Sequence, residues 1–220
     1  MNGSVEKHFL RRGHGVEFEM EADWVRRHLP TAARRVVDVG CGIGGLFGVI
    51  GPSRALGVDH CVEGLTLTRK RFQSTPLMCA AAERLPFTDG AFDAMTCQHV
   101  IEHISAYKQA CREWLRALQP GGVLLLLTPN AQFRDPSVYA DKTHVRIFDR
   151  HSLRSLLLEV GFDILDLRTI GLPWFRNYHR IPSGWRLRRF VTTHATVWSA
   201  FPLWRWKGQT LCCVARRPAS

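Results

Sequence analysis

The stretch that decides the fold is VVDVGCGIGGL, from Val36 to Leu46. An apolar run leads directly into closely spaced glycines, which predicts a buried strand followed by a tight turn. A turn of this kind at the start of a helix usually holds an anionic ligand. Here one carboxylate, Asp38, lies two residues ahead of the first glycine, so the stretch raises the question of which ligand an acidic turn would select.

Two classes of nucleoside ligand fit the glycine spacing. Gly40, Gly42 and Gly45 satisfy G-x-G-x-x-G, and Asp59 follows at the distance expected of a ribose-binding acid, which allows a nicotinamide-dependent oxidoreductase. Next to a pyrophosphate, Asp38 would add repulsion at low local dielectric. S-adenosylmethionine has a ribose, no phosphate and a cationic amino-acid end, so the acid favours this ligand. A third interpretation is that Asp38 only holds the turn through backbone N–H groups.

Short apolar strands alternate with helical stretches around this turn. The predicted strands are Arg35–Val39, Ala55–Val58, Leu77–Ala80, Ala91–Cys97, Gly122–Thr128, Phe162–Thr169 and Thr210–Ala215. The predicted helices are Val16–His28, Gly44–Ile50, Val62–Gln73, Val100–Leu118 and Arg150–Val160. The alternation predicts an α/β fold: a Rossmann-like, doubly wound, three-layer αβα arrangement whose seven-stranded sheet is mostly parallel, with an antiparallel last strand.

The length of 220 residues fits one domain spanning 1–220. Within it we expect an N-terminal helical segment over 1–34 and an insertion over 171–208, before the last strand, that acts as a lid. The formal net charge is +11, and no acidic residue occurs from Leu167 to Ser220, where ten Lys or Arg and five of the seven tryptophans lie. Such a segment suits an anionic partner, for example a membrane surface, a phosphorylated substrate or nucleic acid; a solvated basic face is the alternative.

The N-terminal residues MNGSVEKHFLRRGHG lack the apolar core of a signal peptide, and the apolar run VLLLLT has the length of a strand. The seven cysteines contain no C-x-x-C pair, which indicates reduced thiols and no disulfide framework. These features predict a cytoplasmic protein. Tryptophan and arginine interleaved in LRRFVTTHATVWSAFPLWRW add the hypothesis of peripheral contact with an anionic membrane at its inner face.

Four segments in order resemble the class I S-adenosylmethionine-dependent methyltransferases, in particular a bacterial small-molecule group like that of ubiquinone and menaquinone biosynthesis. The segments are VVDVGCGIGG, GVDHC, AAAERLPFTDGAFDAM and RALQPGGVLLLLTPN. The resemblance extends over roughly Val36 to Phe162 and implies S-adenosylmethionine as the cofactor. The cofactor-binding residues it implies are Asp38, Gly40, Cys41, Gly42, Gly44, Asp59, His60, Ala82, Glu83 and Gln98. The family's adenine-contacting acid falls at Ala81, so adenine recognition is expected from the backbone around Ala82 and from Glu83.

The segment CQHVIEHI, Cys97 to Ile104, lies where the family binds its methyl acceptor. On a helix, His99, Glu102 and His103 would lie at positions i, i+3 and i+4 and would share one face. A general base is the leading interpretation, with His99 and His103 as candidates, because histidine titrates near neutral pH. A divalent-metal site is the second: the spacing resembles the E-x-x-E-H motif of some ubiquinone-pathway and small-RNA methyltransferases, with His99 in place of the first acid. A packed, hydrogen-bonded histidine turn is the third.

A second acceptor-side segment runs from Thr128 to Phe162 and resembles a bacterial subgroup with a "T-H-x-x-x-F" sequence before the last helix. The resemblance implies Tyr139 and Asp141 as substrate-pocket residues and His144 as an alternative base. A helix-capping loop, with Asp149 starting the helix at Arg150, is the competing interpretation, and it leaves the histidine unexplained.

The sequence therefore predicts in-line methyl transfer to oxygen on a small or lipid-linked acceptor that is anionic or amphiphilic. An RNA methyltransferase is the alternative within the enzyme class, disfavoured because the chain has no N-P-P-Y-like segment after the fourth strand and no recognisable RNA-binding module. A nicotinamide-dependent oxidoreductase and a non-catalytic S-adenosylmethionine-binding protein are the alternatives from other classes. No obligate protein partner is indicated, and the pattern does not decide whether a metal binds.

Overall fold

A computed structural model describes residues 15–133, 136–171 and 208–219. Its strands are β1 (Val36–Val39), β2 (Ala55–Asp59), β3 (Leu77–Cys79), β4 (Phe92–Gln98), β5 (Leu118–Pro129), β6 (Asp163–Ile170) and β7 (Thr210–Arg216). Its helices are α1 (Val16–His28), α2 (Phe47–Ile50), α3 (Val62–Arg71), α4 (Tyr107–Ala117), α5 (Pro136–Ala140) and α6 (Arg150–Val160), with 3-10 turns at Ile101–His103 and Ala131–Phe133.

All seven strands form one sheet in the order β3-β2-β1-β4-β5-β7-β6. Strands β1 to β5 pair in parallel, whereas β7 runs antiparallel between β5 and β6. The predicted α/β architecture, with its mostly parallel sheet and antiparallel last strand, is confirmed. Because β1 has β2 on one side and β4 on the other, the direction of winding changes at β1, and this is where open α/β sheets bind ligands.

Helices cover both faces of the sheet. On one face Trp114 of α4 and Leu153 and Leu157 of α6 are fully buried against the strands. On the other face Val25 of α1 and Phe47 of α2 are fully buried. Each such side chain stabilises the fold by about 1.5–3 kcal/mol relative to its exposed state.

Helix α6 begins and ends at the capping residues that the sequence indicates. The Asp149 carboxylate accepts from the backbone N–H of Ser152 at 2.7 Å, and the Asp149 N–H donates to the Ser152 hydroxyl at 3.0 Å, which forms a capping box. Gly161 ends the helix in the left-handed conformation, with φ of 108°. The predicted start at Arg150 and end before Gly161 are both confirmed.

The predicted continuous helix over Val100–Leu118 is wrong. The chain forms a 3-10 turn at Ile101–His103 and starts α4 only at Tyr107. The reason is a long-range contact: the Glu102 carbonyl accepts from the backbone N–H groups of Val145 and Arg146, at 2.8 and 3.1 Å, so it is not available to a helical N–H four residues on. The shared helix face expected for the histidines of this segment does not exist.

Residues 1–14 of the expected N-terminal segment, and residues 172–207 of the expected lid, lie outside the described residues. Within the described ranges, no helix combines the length and the apolar character needed to span a bilayer. All seven cysteines are free, and five of them are buried.

Candidate active site

The glycine turn lies at the carboxyl edge of the sheet, directly after β1. Gly40, Gly42 and Gly44 all have positive φ, at 73°, 51° and 74°, so their backbone takes a conformation that other residues rarely adopt. The Gly40 N–H donates to the carbonyl of Val58 at 2.7 Å, which ties the turn to the neighbouring strand β2. The turn therefore has a defined backbone conformation that is fixed to β2.

Asp59, the last residue of β2, braces this turn. One of its carboxylate oxygens accepts from the Gly42 N–H at 2.8 Å, and the other accepts from the Cys61 N–H at 2.8 Å. The residue is 7% exposed, while the neighbouring His60 side chain is 87% exposed. Because each carboxylate oxygen has two acceptor sites, Asp59 retains capacity for the ribose hydroxyls expected from the sequence.

Asp38 lies beneath the same turn, on β1, and is 3% exposed. Its Oδ1 accepts from the hydroxyl of Thr96 on β4 at 2.6 Å. Burial, together with the nearby charge of Asp59, raises the pKa of Asp38 to about 7 in spite of that hydrogen bond. The backbone of the turn is held by Asp59, so the interpretation in which Asp38 serves that purpose is not supported.

Gly40 is the position where a side chain would disturb the site most directly. A Cβ atom there would lie 2.1 Å from a methyl carbon of Val100, the second residue after β4, and the positive φ adds strain of about 1–2 kcal/mol. We expect Gly40→Ala to weaken binding of S-adenosylmethionine at least tenfold, measured by calorimetry. Gly48→Ala is the matched control, because a Cβ at that exposed position meets nothing within 4 Å; equal affinities of the two variants would contradict the prediction.

The loop after β3 carries the residues expected near the adenine. The Trp114 indole N–H donates to the carbonyl of Ala82 at 3.0 Å, and the Gln109 amide donates to the carbonyl of Glu83 at 3.2 Å. Further along, the Leu85 N–H donates to the carboxylate of Glu113 at 3.1 Å. Helix α4 thus fixes the path of this loop through three separate hydrogen bonds.

Glu21 of α1 is a site residue that the sequence reasoning did not identify. It is 2% exposed, and its carboxylate accepts from the Thr210 hydroxyl at 2.6 Å and from the Gln98 amide at 2.6 Å, and faces His99 Nε2 at 2.9 Å. The available signal was an acid one helical turn before the buried Val25, on the apolar face of an amphipathic helix. Glu21 therefore joins α1 to the ends of β4 and β7.

His99 is held between two buried carboxylates. Its Nε2 faces Glu21, and its Nδ1 lies 3.3 Å from Oε1 of Glu102. Burial alone would lower the pKa of His99, but the charge of Glu21 and the hydrogen bonds to Glu102 and Glu21 raise it well above the usual value. Its φ of 54° is left-handed, the only such value among the non-glycine residues described. Both ring nitrogens are directed at protein groups, which is the arrangement of a positioning residue.

His103 and His144 come together from separate segments. Their rings are 4.7 Å apart between centroids. The loop that carries His144 is fixed to the 3-10 turn by the backbone hydrogen bonds to Glu102 described above, and Glu102 itself is fully buried. His103 is the more accessible of the two histidines, with 25% of its side chain exposed against 4% for His144.

The two expected substrate residues have structural partners. The Tyr139 hydroxyl donates to the carbonyl of Ala131 at 2.9 Å, although the residue is 54% exposed. Oδ1 of Asp141 accepts from the N–H and the hydroxyl of Thr143, and its Oδ2 lies 3.8 Å from Nε2 of His144. Both residues thus shape the loop that presents His144, and neither is placed by these contacts against a substrate.

Comparisons with known proteins bear on this edge of the sheet. A family model described as a methyltransferase domain matches residues 37–126. A Mycolicibacterium smegmatis protein named "Probable S-adenosylmethionine-dependent methyltransferase" is 30% identical over 174 residues, which is 77% of this chain and 65% of that protein. The ubiquinone biosynthesis O-methyltransferase of Chromobacterium violaceum is 31% identical over 123 residues, covering 50% of this chain and 51% of its own length.

The fold has close counterparts among solved structures. An S-adenosylmethionine-dependent methyltransferase from Mesorhizobium loti superimposes with a TM-score of 0.67 at 17% identity, covering 92% of this chain and 100% of that one. The chain spans less than two thirds of the length of the curated relatives described above. The matched family region contains the glycine turn, Asp38, Asp59 and the 3-10 turn with its histidines.

Proposed function

Because the chain belongs to the class I S-adenosylmethionine-dependent methyltransferases, a family whose cofactor is S-adenosylmethionine, we propose that it transfers a methyl group from this donor to an oxygen atom of a small or lipid-linked acceptor. The single observation that carries the proposal is the buried Asp38 beneath the glycine turn. In the described part of the chain no cationic side chain pairs with this acid, and a donor with an ammonium group would supply the missing charge.

Different residues at the carboxyl edge of the sheet bind different parts of the donor. Asp38 accepts from the donor's ammonium group, and the left-handed glycines allow the main chain to approach the donor closely. Asp59 uses its remaining acceptor capacity for the ribose hydroxyls while it braces the turn. When bound, the sulfonium supplies an activated methyl group, so the protein's contribution is mainly alignment and exclusion of water.

Activation of the acceptor requires a side chain near its hydroxyl group, and His99, His103 and His144 are the candidates. Since both nitrogens of His99 face carboxylates, we assign it a positioning role, and we place the acceptor hydroxyl at His103 and His144. Oxygen as the accepting atom is supported by the similarity to an O-methyltransferase of ubiquinone biosynthesis. An anionic or amphiphilic acceptor is supported by the composition of residues 172–207, which are rich in arginine and tryptophan and contain no acidic residue.

The test combines donor binding with turnover. We expect calorimetry to show binding of S-adenosylmethionine and none of NADH, and a labelled methyl group to appear on a phenolic or lipid-linked acceptor from a panel that also contains sugars and RNA. His103→Ala is expected to lower turnover roughly 10²- to 10⁴-fold with unchanged donor affinity. His151→Ala, at an exposed position on α6, is the control. Binding of NADH in place of the donor, or full turnover in His103→Ala, would overturn the corresponding part of the proposal.

A further inference from the structure

Three side chains converge beside the carboxyl ends of β4 and β5: Glu102, His103 and His144. One nitrogen or oxygen atom from each lies within 4.8 Å of the other two. The sequence separates His144 from the other two by about forty residues, and the backbone hydrogen bonds from Val145 and Arg146 to the Glu102 carbonyl bring it back. The cluster is therefore a product of the fold and does not depend on helical spacing.

The tautomer of His144 is fixed by its surroundings. Its Nδ1 lies 2.6 Å from the carbonyl oxygen of Val138, and because a carbonyl only accepts, Nδ1 must carry the proton. In the neutral ring the lone pair is then on Nε2. This nitrogen is buried in a side chain that is 4% exposed, and it has no hydrogen-bond partner among the residues described. A buried acceptor in this state calls for an explanation.

Glu102 contributes a buried carboxylate to the same cluster. The residue is 0% exposed, and one carboxylate oxygen, Oε2, accepts from the Thr128 hydroxyl at 3.0 Å. The other oxygen, Oε1, pairs with Nδ1 of His99 at 3.3 Å and lies 3.9 Å from Nε2 of His103, and it accepts no further hydrogen bond in the described ranges. A buried carboxylate and a buried imidazole thus lie side by side, each with one potential ligand atom within 4.8 Å of the other.

His103 completes the set. Its Nδ1 lies 3.2 Å from the carbonyl oxygen of Thr143 and 3.0 Å from the hydroxyl oxygen of the same residue. Because that hydroxyl donates its proton to Asp141 at 2.6 Å, both oxygens accept from Nδ1, and Nε2 is directed toward Glu102. Histidines that bind metals usually donate their other ring N–H to a carbonyl or carboxylate, which fixes the orientation of the ring. Both histidines of the cluster have this outer partner.

We propose that Glu102, His103 and His144 bind one first-row transition-metal dication of the Zn²⁺ type. Two imidazole nitrogens and one carboxylate favour such an ion over Mg²⁺ or Ca²⁺, which prefer oxygen ligands. Three protein ligands leave a coordination position open, and the partial exposure of His103 provides access. His99, the ligand that the motif spacing suggested, is directed at Glu21 and Glu102, and His144 takes its place.

The binding of the ion rests on this geometry alone, whereas its use rests on the proposed function. There His103 and His144 would activate the acceptor through the ion and not as bases: the open position would receive the acceptor's oxygen, the ion would lower the pKa of the hydroxyl that is methylated, and the released proton would pass to solvent. Metal binding and methyl transfer can therefore be tested separately, and either can be refuted without the other.

The test is a titration of chelator-treated, tag-free protein with Co²⁺, followed by its visible absorption. We expect saturable binding of one equivalent, an affinity at least tenfold weaker in both His103→Ala and His144→Ala, and an unchanged affinity in His151→Ala. Thermal unfolding and S-adenosylmethionine binding of each variant establish that it is folded. No saturable binding in the wild-type protein, or wild-type affinity in both cluster variants, would overturn the metal site. Binding of one Co²⁺ without methyl transfer to any acceptor would leave the metal site standing and remove the proposed function.

Discussion

Replacing Asp38 by asparagine is expected to weaken binding of S-adenosylmethionine roughly 10- to 100-fold at pH 7.5 and, at the same time, to stabilise the protein without ligand. Both effects have one cause, the placement of an acid that is 3% exposed with a single neutral donor, Thr96, at 2.6 Å. Removing the charge removes a charge-assisted hydrogen bond to the ligand, worth about 1.5–3 kcal/mol. It also removes the cost of ionising a carboxyl group inside the fold.

The pH dependence of stability has a defined sign. The pKa of Asp38 is about 7 in the folded state and near 3.8 in the unfolded chain. Between these values the folded protein binds more protons at this site than the unfolded protein, so the contribution of Asp38 to stability decreases as pH rises from about 4 to 7 and is constant above. The expected decrease is on the order of 4 kcal/mol. The Asp38→Asn variant should lack this decrease in denaturant unfolding measured across the same range.

Cofactor affinity should change in the opposite direction. Because the ionised carboxylate is the form that pairs with an ammonium group, affinity should increase with pH from about 5.5 to about 7, below the pKa of an α-amino group at about 7.7–8.0. Asp163→Asn, at a half-exposed position on β6, is the control and should preserve both profiles. A pH-independent affinity in the wild-type protein, or an Asp38→Asn variant that binds as tightly as wild type, would refute the assigned role.

The second large effect is expected at Glu21. Glu21→Ala should lower the free energy of unfolding by about 3–5 kcal/mol, which corresponds to a fall in the midpoint of thermal unfolding of roughly 6–20 °C for a domain of this size. The carboxylate is buried and serves the Thr210 hydroxyl, the Gln98 amide and the His99 ring, all of which lose their partner together.

Glu17→Ala tests whether any acid on α1 would behave in the same way, since Glu17 is exposed on the same helix. We expect a change within about 0.5 kcal/mol, typical of a surface substitution. Calorimetric or denaturant unfolding of both variants measures the two changes in the free energy of unfolding. Equal effects of the two substitutions would mean that the hydrogen bonds of Glu21 contribute nothing beyond helix propensity.

Local sequence patterns predicted most of the fold. Most strands contain a short apolar run bounded by turn residues, although β5 starts at Leu118, four residues before the predicted Gly122. The caps of α6, Asp149 and Gly161, act within four residues of the helix they delimit. The failure at Val100–Leu118 has a different physical origin. The hydrogen bonds that divert the Glu102 carbonyl come from Val145 and Arg146, and no property of residues 100–118 announces them.

In the candidate site, too, the features set by local sequence were predictable and those set by long-range contacts were not. The glycine turn and Asp38 form a contiguous motif, so the sequence indicated both their geometry and the charge of the ligand. The pairing of Glu21 with His99 and the approach of His144 to Glu102 depend on tertiary contacts between distant segments. A single acid on the apolar stripe of a helix was the available hint for Glu21, because buried carboxylates almost always have partners.

The pairing of β6 with β7 has a consequence for how proteins of this fold can diversify. Ile170 and Thr210 are cross-strand neighbours at the edge where β5 ends, and Thr169 and Asn130 hold Gly208 through hydrogen bonds of 2.7 and 2.8 Å. The chain therefore leaves the sheet after Ile170 and returns to it at Thr210, and contacts outside residues 172–207 hold these two positions together. Doubling the length of a connection costs only about 0.6 kcal/mol. Residues 172–207 can therefore be lengthened, shortened or exchanged between homologues with little loss of stability in the part of the fold that carries the glycine turn. This position is a natural junction for chimeras with altered acceptor preference.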